Sequence, residues 1–309
     1  FCALLALFCL ALGQAQAATL KEARQLFATG EYAKAIEASE AAIAANEFDS
    51  GWRLLLLRAR LTTGQYPEAK RFATELLDDY RYRYNAEALW LFHLAYEANG
   101  DATEATKMLQ VIMQFLNGQR GISDENTLVF IGRALLKAGA TDPKQVKENL
   151  YDRVLKSSPD NREALLAVGD LALAKRDFKL AGRTFTRAIG HYPEDTDLLY
   201  GLAKAYAESD PSQMEEPLHT AMFTNPDHIP SLLLQAHNQA DAEQYETANG
   251  ILKAIFKINP HHAESWALQA ALHTVRNEPG KAESARASGL KFWKTNPLVD
   301  HEIGKKLSS

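Results

Sequence analysis

Prolines at positions 159, 193, 226 and 260 follow one another at intervals of 34, 33 and 34 residues, and Pro297 comes 37 residues after the last of them. Each closes a similar phrase: Ser158-Pro159, Tyr192-Pro193, Asn225-Pro226, Asn259-Pro260 and Asn296-Pro297. Each phrase follows an apolar stretch at helical spacing. Proline cannot continue a helix, because it lacks the amide proton and its ring collides with the preceding turn. The prolines therefore mark where successive units stop. A fixed period of this length means a stack of similar units, none of which can bury its apolar face alone.

The unit is clearest between Arg162 and Pro193. A first apolar helix with Leu165, Val168 and Gly169 leads to a polar turn at Lys175 to Asp177, followed by Phe178, Ala181, Phe185, Ala188 and Ile189. Small residues belong where two helices touch, since a larger side chain would hold the backbones apart, and aromatics fill the space beside them. Gly30, Tyr32 and Ala35 repeat the turn and second-helix start, and Gly64, Tyr66 and Ala69 do so again 34 residues later. This order of large and small residues resembles the tetratricopeptide repeat, a pair of antiparallel helices.

The resemblance implies an all-α superhelix, or solenoid, of about eight repeats at 18–49, 50–84, 85–117, 124–159, 160–193, 194–226, 227–260 and 261–297. The fourth repeat carries roughly three extra residues near Ala140 to Pro143. The sixth is one residue short in its turn, and the eighth has an extended turn at Asn277 to Lys281.

Both ends depart from the period. Residues 1–17 hold an apolar run, then Gly13 and the small-residue stretch Ala15-Gln16-Ala17-Ala18, the pattern of a cleavable secretory signal peptide. About twelve apolar residues are too few to span a bilayer, so no stable membrane insertion is expected after cleavage. Export to the periplasm or the extracellular space follows. At the other end, residues 298–309 read as the start of a further, truncated repeat, with Ile303-Gly304 in the place of Val168-Gly169. Leu298, Ile303 and Leu307 would then lack a covering helix, which suggests that more protein follows Ser309.

Chemistry-bearing motifs are sparse. Both cysteines, Cys2 and Cys9, lie in the expected signal, so neither a disulfide nor a cysteine metal site is expected. A net charge of −5 gives no general attraction to nucleic acid. His301-Glu302 begins like H-E-x-x-H, but Lys305 stands where the second histidine belongs. His261, His262 and Glu264 read as solvated helix-start residues, and Asp78 to Tyr84, for all its alternating arginines and tyrosines, as a packed junction between repeats. No catalytic residue, metal or cofactor is assigned, and the chain is expected not to be an enzyme.

A binding surface remains. Stacked helix pairs rotate slightly at each step, so first helices line a concave groove and second helices form the outer wall. Arg58, Trp90, Asp170, Tyr200, Lys204 and His237 fall on the expected free face of first helices and are the candidate partner-binding residues. The resemblance implies an exported scaffold for a protein or peptide partner. Two alternatives stay open: the repeats precede a zinc peptidase-like domain in a larger exported enzyme, or they serve a structural role in envelope assembly through the convex face.

Overall fold

The computed structural model describes residues 18–118 and 124–308, so the expected signal peptide lies outside the described residues. The chain is a succession of antiparallel helix pairs. The first three pairs are α1 (Leu20–Ala28) with α2 (Tyr32–Ala44), α3 (Ser50–Thr62) with α4 (Tyr66–Leu77), and, after the short α5 (Tyr80–Arg83), α6 (Ala86–Ala98) with α7 (Ala102–Gln114). In the fourth, α8 (Glu125–Lys137) faces α9 (Pro143–Val146) and α10 (Asp152–Ser157), which a π-helical turn joins. Then come α11 (Arg162–Ala174) with α12 (Phe178–His191), α13 (Thr196–Ser209) with α14 (Glu215–Thr224), and α15 (Ile229–Asp241) with α16 (Tyr245–Ile258). The last pair is α17 (Ala263–Val275) with α18 (Pro279–Gly289), and α19 (Pro297–Ser308) packs against α17.

The proline phrases stop one helix and start the next. Ser158, Tyr192, Asn225 and Asn259 are the C-caps of their helices, with ψ between 68° and 94°. A following proline disfavours helical ψ, so the chain leaves the helix there. Two residues beyond the proline a polar side chain caps the next helix: Asn161 accepts from the Ala164 amide, Asp195 from Asp197 and Leu198, and His262 from Ser265. Each cap satisfies an amide that the first helical turn leaves unpaired.

Within a pair, the contact is set by glycine against aromatic. A Cβ placed on Gly169 would lie 2.3 Å from the fully buried Phe185 ring, and one on Gly201 would meet the same ring at 2.3 Å. One phenyl group thus fills the gap between the first helices of two consecutive repeats. Gly132 and Tyr151 form the same contact in the fourth repeat.

Insertions are absorbed in ways that preserve this packing. In the fourth repeat the turn runs from 138 to 142, against a three-residue turn at 175–177, which accounts for two of the extra residues. The third enters the second helix as the π-turn at Lys147–Tyr151, which bulges locally and lets the flanking turns keep register. In the sixth repeat the turn is not short: a 3-10 turn, Pro211–Gln213, fills it, and α14 is the shortened element with 10 residues. The extended turn expected at Asn277 to Lys281 is also corrected. Pro279 occupies the first turn of α18, where a missing amide costs nothing. The eighth pair therefore has an ordinary turn at 276–278, and the extra length lies after Gly289, at 290–296.

At the junction between the second and third repeats, Tyr82 is fully buried while Tyr80 and Tyr84 are exposed, and Arg81 is held by Asp79. In α19, Val299 is fully buried, Leu298 and Ile303 are half-buried, and Leu307 is exposed. A Cβ on Gly304 would meet nothing within 4 Å, unlike one on Gly169.

The stack closes on itself. Tyr32 Oη, at the start of α2, accepts from Asn225 Nδ2 at 3.1 Å and donates to the Asp227 carbonyl at 3.3 Å. One repeat later, Asn259 Nδ2 donates to Tyr66 Oη at 3.0 Å. Both tyrosine–asparagine pairs span 193 residues, so one superhelical turn takes between five and six repeats of 34. The asparagines are buried, and Oδ1 of each accepts the amide two residues on, from Asp227 or His261. Beneath them sit Gly30 and Gly64, at φ 89° and 74°. A Cβ there would come within 2.5 Å and 2.2 Å of the two asparagine oxygens. The equivalent turn positions Arg176, Glu243 and Asn277 adopt the same positive φ with side chains present. Glycine in the first two turns is thus required by the layer above, whereas the left-handed backbone alone only favours it.

Candidate functional site

Closure turns the concave groove into a lumen. A cavity of about 730 Å3 lies between α1, α3 and α6 on one side and α11, α13 and α15 on the other. Its walls are first helices, and much of their charge is paired from one helix to the next. Arg58 Nη2 meets Glu87 at 2.7 Å, and Arg133 Nη1 meets Glu163 at 3.1 Å. Arg162 reaches Glu163 at 2.6 Å, Asp195 at 2.7 Å and Asp197 at 2.6 Å, and His228 Nε2 lies 3.3 Å from Asp197.

The electrostatics follow from that enclosure. Burial favours neutral Asp197, but the His228 hydrogen bond and the Arg162 charge outweigh it and hold its carboxyl well below the usual carboxylate range. Asp170 goes the other way. Water reaches it, yet protein surrounds it; desolvation, reinforced by Asp197, pushes its pKa up to about 6 against Arg133, Lys204 and Arg162. Among the described residues Asp170 makes no hydrogen bond and no ion pair.

The six candidates do not form one group. Asp170 on α11 and Tyr200 and Lys204 on α13 sit on neighbouring first helices, outside the residues that line the cavity, with the Lys204 ammonium 5.6 Å from the Tyr200 ring centre and the His228 ring edge-on to Tyr200 at 6.0 Å. Desolvation raises the Tyr200 pKa, and the Lys204 pKa is also raised, because the pull of Tyr200, Glu264 and Asp170 exceeds the cost of burial. Arg58, by contrast, lines the cavity but is committed to Glu87. Trp90 is half-buried against the hydrophobic core, its ring 5.3 Å from that of His93. His237 lies apart, on α15 beside α19, where burial and then Lys306 push its pKa down to about 4.

Sequence reasoning missed Glu87, Glu163, Arg162, Asp195 and Asp197. A signal existed: Glu87, Glu163, Asp197 and Glu264 each stand second in their first helix. An acid there also complements the helix dipole, and that local reason conceals the cross-helix one. His262 and Glu264 are not solvated. His262 is half-buried with Nδ1 2.9 Å from Ser265 Oγ, and burial pushes its pKa down to about 4, while burial raises that of Glu264.

The family model described as tetratricopeptide repeat matches residues 20–82, 148–195 and 166–210. The fold is a tetratricopeptide superhelix. The crystal structure of the APC/C hetero-tetramer Cut9–Hcn1 superimposes on 93% of this chain with a TM-score of 0.57 and 13% identity, and the match spans 55% of that chain. The crystal structure of TTC0263, a thermophilic TPR protein in Thermus thermophilus, is covered along 100% of its length by 60% of this chain, with a TM-score of 0.51 and 18% identity. At these identities the likeness concerns the fold alone. No curated protein matches the sequence. Tetratricopeptide superhelices are typical of protein–protein interaction scaffolds, and no helix among the described residues is long and apolar enough to cross a membrane.

Proposed function

We propose that this superhelix is an exported interaction scaffold that holds a segment of a partner protein along its inner wall. The observation that carries the reading is the group Asp170, Tyr200 and Lys204. It combines an aromatic face, a cation and a carboxylate unclaimed by any described residue, on the consecutive first helices α11 and α13. Such a surface can take up backbone amides and charged side chains of a partner. Export rests on residues 1–17 and belongs to the same proposal.

The test is capture of a partner from envelope extracts, followed by affinity measurements on Asp170→Lys, Lys204→Glu and the outer-face control Arg183→Glu. Loss of binding in the first two with retention in the third supports the lumen. The reverse pattern favours a working outer face.

A further inference from the structure

A second cavity, of about 760 Å3, lies where one superhelical turn meets the next. Leu61, Leu94, Ala98 and Lys137, near the ends of α3, α6 and α8, form one wall. The opposite wall comes from Glu264 at the start of α17, Trp293, and Leu298 and His301 of α19. No single repeat contains this cavity; it exists because repeats two to four have met repeats eight and beyond. Its size falls within the ~300–1,000 Å3 of sites that enclose a small ligand or a few side chains.

The lining favours one kind of occupant. Leu61, Leu94, Ala98, Leu298 and the Trp293 ring supply apolar walls that gain by excluding water. Of the polar groups, Lys137 is neutralised by Glu97 at 2.9 Å, and His262 is tied to Ser265. Glu264 is different. It is half-buried and, among the described residues, accepts no hydrogen bond and has no cation within 4 Å; desolvation prevails over the more distant Lys204 and Lys305 and raises its pKa. A half-buried carboxylate without a close partner is costly, and a cation brought by a ligand removes that cost. An anionic ligand would add to it.

We propose that this inter-turn cavity captures an apolar side chain of a partner peptide together with an adjacent lysine or arginine, whose cation meets Glu264. The proposal rests on the scaffold reading and adds a place and a chemistry to it. Because the two walls belong to different superhelical turns, an occupant also bridges them. Binding therefore favours the closed stack over any state in which Tyr66 and Asn259 have parted.

Two fluorescein-labelled peptides test this, Gly-Leu-Leu-Lys-Gly and Gly-Leu-Leu-Glu-Gly, both blocked at their ends and titrated with residues 18–309 by fluorescence anisotropy. The lysine peptide should bind at least ~10-fold more tightly than the glutamate peptide. Glu264→Gln should bring the two to within about twofold of each other, and Ala98→Trp, which fills the cavity, should abolish binding of both. Circular dichroism melts verify folding, and Glu264→Gln keeps the test decisive if Ala98→Trp unfolds. Hydrogen exchange around Tyr66 and Asn259 should slow when the lysine peptide is bound. No binding up to about 1 mM, equal affinity for both peptides, or a preference that survives Glu264→Gln overturns the proposal. The lumen reading is judged separately: if the captured partner loses affinity with Asp170→Lys but not with Glu264→Gln, the scaffold stands and this cavity is not its anchor.

Discussion

Replacing Gly64 with alanine tests whether the superhelix is closed, and Gly139 provides the control. Both glycines sit in first-to-second helix turns with positive φ, 74° and 61°. An alanine at either therefore incurs a similar left-handed strain of ~1–2 kcal/mol. Their surroundings differ. A Cβ on Gly139 meets nothing within 4 Å, whereas one on Gly64 lies 2.2 Å from Asn259 Oδ1 and 2.8 Å from Asn259 Cγ. That amide has little room to yield, since Oδ1 accepts from the His261 amide at 2.9 Å and Nδ2 donates to Tyr66 Oη at 3.0 Å. Displacing it breaks both bonds in a buried site, which costs ~1–3 kcal/mol beyond the strain. Gly64→Ala should therefore lose about 1–3 kcal/mol more than Gly139→Ala in urea unfolding. Repeat arrays can unfold piecewise, so amide exchange is the sharper readout. Gly64→Ala should speed exchange around Asn259 as well as in its own repeat, and adding Asn259→Ala should restore part of the lost stability. Equal losses for the two glycines, or a disturbance confined to the second repeat and its sequence neighbours, would refute closure.

Two further outcomes follow from packing and charge. Gly182→Ala, on an open part of α12, should stabilise the fold by ~0.5–1 kcal/mol through helix propensity. Gly169→Ala should destabilise it by ~1–3 kcal/mol, because the new methyl group meets the Phe185 ring; thermal melts in which both variants shift in the same direction would contradict the glycine–phenyl contact. For Asp170 the folded pKa of about 6 lies above the ordinary 3.8, so the fold prefers the protonated acid. That contribution is present in full below pH 3.8 and is lost as pH rises through about 6. Asp170→Asn should therefore gain on the wild type across this window by no more than about 1 kcal/mol, since water reaches the side chain and screens it. A stability difference that does not change with pH would remove the desolvation account of this residue.

Most of the fold was legible because its causes are local. The prolines, the caps two residues beyond them and the small-against-aromatic spacing of Gly169 and Phe185 act within one repeat, and repetition amplifies them. The eighth turn was misplaced because Pro279 reads as a loop residue until its position in the first turn of α18 is known. Part of the candidate site was legible for the same local reason. Asp170, Tyr200 and Lys204 lie on the consecutive first helices α11 and α13, close enough for Lys204 to approach the Tyr200 ring, though none of them lines the cavity. Trp90 also lies on a first helix, yet the core claims its ring. Arg162 and Asp197 escaped notice because their pairing depends on the step between repeats, which no single helix records.

Closure was the least legible feature, and it changes most. Tyr32 and Asn225 stand 193 residues apart, and each already has a local explanation, one as a helix start and the other as punctuation before proline. In an open solenoid each repeat feels only its neighbours, so a perturbation fades along the stack. Here the first and sixth repeats are bonded, as are the second and seventh, and a segment in the middle cannot unwind without straining contacts at both ends. The inner-wall charges depend on the same geometry: desolvation raises Asp170, while the hydrogen bond from His228 and the charge of Arg162, both from neighbouring repeats, lower Asp197, and an opened stack would relax these contacts. Partner binding and superhelix geometry are therefore linked quantities, and a ligand held across the two turns should be felt at Tyr32 and Asn225 even where it touches neither.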